Sequence, residues 1–216
     1  MNLEQARFNM IEQQIRPWDV LDQDILDLIG AMRREDFVPP ALRSLAFSDT
    51  ELPLPGGQSM LAPKVEARLL QELAVRKHEH ALEIGAGSGF FAALLGHRAA
   101  SVTSLELLPE LADFARANLA RAASANVQVV QADGSRYVPA EPMDIIVLSG
   151  SVAEVPDTLK NALKVGGRMA AIVGNEVVAE AQLITRLSEQ DYRVVNLFET
   201  VAPLLRNFPA PSRFRF

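Results

Sequence analysis

Apolar residues recur at roughly helical spacing over the first part of the chain. Leu3, Ala6, Phe8, Met10, Ile11 and Ile15 predict a helix over residues 3 to 15. Ile25, Leu28, Ile29 and Met32 predict a second over Asp22 to Met32. Pro39 and Pro40 end that region, and the following stretch AFSDTELPLPGGQSMLAP, dense in Pro, Gly and Ser, reads as an ordered loop. Pro63 then stands where a first-turn proline is tolerated, ahead of Val65, Leu69, Leu70 and Leu73 on one helical face.

Beyond residue 80 the pattern alternates. Short apolar runs at Ala81–Ile84, Ser101–Leu105, Val127–Gln131, Asp144–Leu148 and Arg168–Val173 predict strands; Phe90–His97, Pro109–Ala123 and Pro156–Leu163 predict helices between them. Ala181–Leu187 fits a helix or a strand, and Tyr192–Val201, β-branched and aromatic, fits a strand. Strands separated by helix-length segments imply βαβ units. The expected fold is therefore α/β: a Rossmann-like, doubly wound, mostly parallel sheet with helices on both faces and an N-terminal helical extension. One domain over residues 1–216 is expected, with residues 1–62 as N-terminal helices and substrate loop and 63–216 as the ligand-binding core.

Composition narrows the chemistry. At 49% apolar and 22% charged, with no run of bilayer-spanning length, the chain predicts no membrane role. Its start carries acids and amides instead of the basic-then-apolar layout of a secretion signal, so a cytoplasmic location is expected. The absence of cysteine rules out disulfides, thiolate nucleophiles and Cys-ligated metals. A net charge of −6 argues against nucleic acid as a partner.

In an open α/β sheet, ligands bind beyond the carboxyl ends of the strands, where strand order reverses. The first strand runs into ALEIGAGSGFF, with glycines at 85, 87 and 89. Phe90 occupies the third glycine position of the dinucleotide fingerprint, which weakens a nicotinamide cofactor. Three carboxylates mark the ends of successive strands: Glu83, Glu106 and Asp133, the last followed by Gly134. Such acids suit a ligand with hydroxyls, an amine and positive charge better than one with phosphates, because like charges brought together without water are costly. S-adenosylmethionine has that character. The bland alternatives are a glycine turn of geometric origin, a helix-capping Glu106 and a turn-forming Asp133.

LEIGAGSGFFAALL, SLELLPELADFARANL, NVQVVQADGS and MDIIVLSGSVAEVPDTLKNALKVGGRMAAIVG together resemble the class I methyltransferases. MIEQQI, AMRREDFVP and FSDTELPLPGGQSMLAP resemble, more particularly, the protein-L-isoaspartate O-methyltransferase family. The resemblance runs to about residue 205 and implies S-adenosylmethionine as methyl donor, with contacts from Glu83, Gly85, Ala86, Gly87, Ser88, Gly89, Glu106, Leu107, Asp133 and Gly134. It also implies an isoaspartyl carboxylate, in a damaged protein or peptide, as acceptor. The family's loop reads GQTISAP, and its serine is understood to contact the acceptor carboxylate. Here Gly57 to Pro63 read GQSMLAP: Ser59 stands for the threonine and Leu61 for the serine. Leucine donates no hydrogen bond, so either the acceptor differs or the site is rebuilt. Lys64, after the proline, is an ordinary helix lysine or a compensating charge.

The remaining polar and aromatic residues carry weaker signals. His78 and His80 flank Glu79 without a third ligand nearby, so no metal site is expected. His97, near a helix end, is placed to meet terminal carbonyls. Trp18 reads as packing or, less favourably, as a lid over adenine or acceptor. The tail RNFPAPSRFRF fits an edge strand, a dimer contact or a frayed end, and nothing in the sequence sets the oligomeric state. A methyltransferase with another acceptor, or a binding module without catalysis, remains open.

Overall fold

A computed structural model describes residues 2–175 and 177–209; the last part of the RNFPAPSRFRF tail lies outside these. Helix α1 (Leu3–Met10) starts where the Asn2 side chain accepts from the Glu4 and Gln5 amides. The predicted helix over 3–15 does not continue regularly. Residues Ile11–Ile15 form a π-helical stretch in which the Arg16 N–H reaches back five residues to the Ile11 carbonyl. A single 3-10 turn, Arg16–Trp18, follows. Asp22 caps α2 (Gln23–Ala31) in the same way that Asn2 caps α1. Within the expected loop, β1 (Leu52–Leu54) and β2 (Gln58–Met60) make a small antiparallel hairpin around the turn Pro55–Gly57. Pro63 opens α3 (Pro63–Leu73), which ends on Ala74 in the left-handed region.

Strands β3 (His80–Ile84), β4 (Ser101–Glu106), β5 (Val127–Gln131), β6 (Met143–Val152), β7 (Leu163–Gly174), β8 (Ala179–Arg186) and β9 (Tyr192–Thr200) form one sheet, ordered β5-β4-β3-β6-β7-β8-β9. Pairing is parallel from β5 to β7 and antiparallel at β8 and β9. Helices α4 (Phe90–Arg98) and α5 (Pro109–Arg121) link the first three strands. The short α6 (Asp157–Asn161) stops sooner than the predicted Pro156–Leu163, because Leu163 already pairs with Met143 as the first residue of β7. The ambiguous segment at 181–187 is strand as far as Arg186, since its backbone closes the ladder on β7.

Alternation along the strands builds a core on each face of the sheet. Ile145, Val147, Ala170 and Ile172 face α3, α4, α5 and the N-terminal helices. Ile146, Leu148, Met169 and Ala171 face the opposite layer with Leu159 of α6. Strand order reverses between β3 and β6: from β3 the chain first builds outward through β4 and β5, then returns to place β6 on the other side. The crevice at that reversal, beyond the carboxyl ends of β3 to β6, is where side chains of the site converge.

Candidate functional site

The loop after β3 is folded inward by its own backbone. The amides of Gly85 and Ala86 both donate to the Leu105 carbonyl, at 2.9 and 3.0 Å, and Gly89 N donates to the Ala86 carbonyl at 2.7 Å. Gly87, at φ +52, sends its N–H to Glu106 Oε2 at 2.9 Å. Loops that cradle phosphate present free backbone N–H groups to the ligand; here four of them are engaged within the protein. The loop therefore offers close backbone approach without an anion-binding nest.

Beside it lies a cavity enclosing about 810 Å³ of empty space, counting its open mouth. Eleven of the residues singled out in the sequence line it: Ser59, Leu61, Glu83, Gly85, Ala86, Gly87, Ser88, Glu106, Leu107, Asp133 and Gly134. Gly89 is not among its walls. It caps α4 at φ +82, and a Cβ there would fall 3.2 Å from the Ala115 carbonyl and from Leu119, so this glycine serves the packing of α5.

The three strand-end acids differ in state. Glu83 is fully buried and accepts from Ser104 Oγ at 2.5 Å and Ser149 Oγ at 2.8 Å. Burial pushes its carboxyl up to about 8, against the two serine hydrogen bonds, with Glu66 and Glu106 nearby adding to the rise. Glu106 bridges two loops, taking Gly87 N on one oxygen and Leu108 N on the other, the latter at 3.0 Å. Asp133 lies at the more open end, where Ser135 Oγ at 2.7 Å, the Ser135 amide and Asn207 hold its carboxyl below the usual range.

The other end of the cavity is formed by the hairpin and the start of α3. Ser59 donates its hydroxyl to Glu51 Oε2 at 2.7 Å. Leu61 is buried, and its carbonyl accepts from Arg34 Nη2 at 2.6 Å. Arg34 also donates to the Ala46 carbonyl, pairs with Glu66 and stacks over the Phe90 ring at 4.7 Å, so every one of its nitrogens is engaged. Burial pushes Glu66 up to about 7 despite that arginine. Lys64 bonds Asp49 at 2.8 Å and lies 4.2 Å over Trp18, whose ring meets Phe198 edge-on at 5.2 Å; Trp18 is packed here rather than placed over the cavity.

Several contributors carried no sequence signal. Ser104 and Ser149 are ordinary strand residues until the sheet sets them beside Glu83. The segment after β9 crosses the cavity mouth: Ser151 N donates to the Pro203 carbonyl and Leu205 N to the Ser151 carbonyl, both at 2.8 Å. Pro203, Leu205, Arg206 and Phe208 then join the wall. Asn207 donates to Asp133 Oδ2 at 2.9 Å, and Arg206 Nη2 to the Gly56 carbonyl at 2.8 Å. Among the described residues no group of three or more histidines and carboxylates is placed to hold a metal, and no helix is long and apolar enough to cross a membrane. His80 Nδ1 sits 2.7 Å from Ser101 Oγ.

A loop whose Gly85, Ala86, Gly87 and Gly89 amides are spent within the protein, with the carboxyl groups of Glu83, Glu106 and Asp133 beside it, fits a ligand rich in hydroxyl and amine donors and carrying positive charge. S-adenosylmethionine has those groups; a pyrophosphate does not.

A sequence model of the family described as protein-L-isoaspartate(D-aspartate) O-methyltransferase matches residues 5–203. A relative from Methanoculleus marisnigri named protein-L-isoaspartate O-methyltransferase is 40% identical over 189 residues, covering 87% of this chain and 84% of the relative. One of the same name from Rhodopseudomonas palustris is 38% identical over 199 residues, covering 91% of each. In three dimensions the chain is similar to a Plasmodium falciparum protein described as a protein-L-isoaspartate O-methyltransferase, solved with S-adenosyl-L-homocysteine. The TM-score is 0.79 at 18% identity, over 93% of this chain and 98% of that one, a likeness of fold.

Proposed function

The chain belongs to the protein-L-isoaspartate O-methyltransferase family, and from that premise we propose that its acceptor is the free carboxylate of isoaspartyl residues in damaged proteins and peptides. It is an S-adenosylmethionine-dependent methyltransferase of Rossmann-like fold. Glu106 would hold the ribose hydroxyls, Asp133 the adenine amine, and the loop Gly85–Ser88 with Glu83 the amino-acid end. S-adenosylmethionine supplies an electrophilic methyl group when bound. The cytoplasm is the location we assign, supported by a chain free of cysteine.

The observation that carries this reading is the inward-bonded glycine loop ringed by carboxylates. The acceptor chemistry asks little more of the chain. A carboxylate with an ordinary value of about 4 is ionised near neutrality and needs no general base. Holding it in line with the methyl group can supply as much as roughly 7–11 kcal/mol of the barrier. Calorimetry with S-adenosylhomocysteine followed by methyl-ester assay on an isoaspartyl peptide, with the aspartyl peptide as control, tests the proposal. Binding plus ester formation on the isoaspartyl peptide alone is the expected result.

Leu61 favours a second reading, in which the donor site is kept and another nucleophile accepts the methyl group. Its mark is S-adenosylhomocysteine binding without turnover of isoaspartyl peptides.

A further inference from the structure

A carboxylate acceptor entering this cavity must find a positive or hydrogen-donating partner, because an unpaired charge out of water is strongly disfavoured. The acceptor end supplies almost none. Leu61 has no donor, Ser59 gives its hydrogen to Glu51, Arg34 is fully engaged, and Lys64 is held by Asp49. Four carboxyl groups stand in the same wall, Glu66, Glu83, Glu106 and Asp133.

Among the described residues one cation lines the cavity, Arg206, carried in by the segment after β9. Its Nη2 is fixed on the Gly56 carbonyl, at the tip of the hairpin whose second strand, β2, runs through Ser59 towards Leu61. That single bond holds the guanidinium in the cavity lining, and its Nε and Nη1 have no partner among the described residues. Arg206 is also exposed, so it meets an incoming peptide before either reaches the buried floor. A guanidinium has five N–H donors in a planar fork that matches a carboxylate, and here most of them are unused.

Resting on the isoaspartyl reading above, we infer that Arg206 binds the acceptor carboxylate and does the work for which Leu61 is unsuited. The acceptor's counter-charge comes from the segment after β9, held against the hairpin that leads into the loop where the family carries its serine.

The test is calorimetry of peptide binding to the protein loaded with S-adenosylhomocysteine. Two peptides are compared, one isoaspartyl and one with isoasparagine, a neutral carboxamide, at the same position. In the Arg206→Gln variant, binding of the isoaspartyl peptide is expected to weaken roughly 10- to 100-fold, the value of one charged hydrogen-bonded contact. Binding of the carboxamide peptide should change by less than about threefold. Arg206→Lys should recover part of the loss. Equal binding of the isoaspartyl peptide by wild type and Arg206→Gln overturns the assignment, as does an equal loss for both peptides. A matching loss of S-adenosylhomocysteine affinity also overturns it, since Arg206 would then act on the cofactor roof. Failure of the wild type to bind the isoaspartyl peptide overturns this inference together with the acceptor reading. Arg206-dependent binding without ester formation leaves the inference standing and removes only the proposed function.

Discussion

Ser149, near the carboxyl end of β6, donates its hydroxyl to Glu83 on the neighbouring strand β3 at 2.8 Å, so the switch point of the sheet is bridged through a buried carboxyl. Ser104 on β4 completes the arrangement from the other side. Burial pushes the Glu83 carboxyl from its ordinary 4.5 up to about 8 in the fold. Between those values the folded protein holds the extra proton, so this group's contribution is fully present below 4.5 and is lost as pH rises through 8. Glu66, pushed up to about 7, acts in the same direction. The melting temperature of the cofactor-free protein should fall between pH 5.5 and 8.5, read by scanning fluorimetry at roughly one-unit steps. Glu83→Gln should flatten that fall; an unchanged slope would mean Glu83 is ionised in the fold.

Leu61→Ser tests what the loop departure means. Restoring a hydroxyl should raise kcat/KM for isoaspartyl peptides by about tenfold, the worth of one hydrogen bond to a charge. Removing a buried leucine should cost about 3 kcal/mol of stability, within the range of large-to-small core changes. Steady-state kinetics and urea unfolding measure the two separately. No gain in kcat/KM would show that the acceptor does not approach residue 61.

Glu106 is both strut and candidate ligand. A carboxamide keeps one acceptor oxygen, so Glu106→Gln cannot serve the Gly87 and Leu108 amides as the carboxylate does. Affinity for S-adenosylhomocysteine should drop roughly 10- to 100-fold by calorimetry. Wild-type affinity in the variant would leave Glu106 with no part in the pocket.

Gly150 has no room for a side chain, because a Cβ would sit 2.9 Å from both Leu205 Cδ2 and the Pro203 carbonyl. Gly150→Ala should lift the crossing segment and speed S-adenosylhomocysteine release roughly tenfold, with less effect on its association rate. Stopped-flow displacement separates the two rates, and equal off-rates would show that the segment does not retain the ligand.

Much of this arrangement is written locally in the chain. The strands β3 to β7 are apolar runs, and β3 and β6 are buried almost continuously, as parallel strands covered on both faces are; the acids that end β3, β4 and β5 are where a doubly wound sheet puts ligand contacts. What escaped was non-local. The π-helical Ile11–Ile15 looks like any helix in sequence, while its Gln14 is drawn to the Phe47 carbonyl 33 residues away. Ser104 and Ser149 acquire meaning only beside Glu83. Arg206 meets Gly56 across 150 residues, a pairing that no spacing rule announces. Gly89 was the reverse case: it shares the alternate glycine spacing of 85 and 87, but its reason is the approach of α5.

Pro203 to Phe208 follow every strand of the sheet in chain order. During translation, the glycine floor and its acids therefore leave the ribosome well before the piece that covers them. A chain clipped by a protease after β9 would keep its sheet and its acids while gripping nucleoside poorly and lacking the guanidinium at the entrance. Donor affinity in this protein thus doubles as a readout of whether the segment after β9 is present and seated.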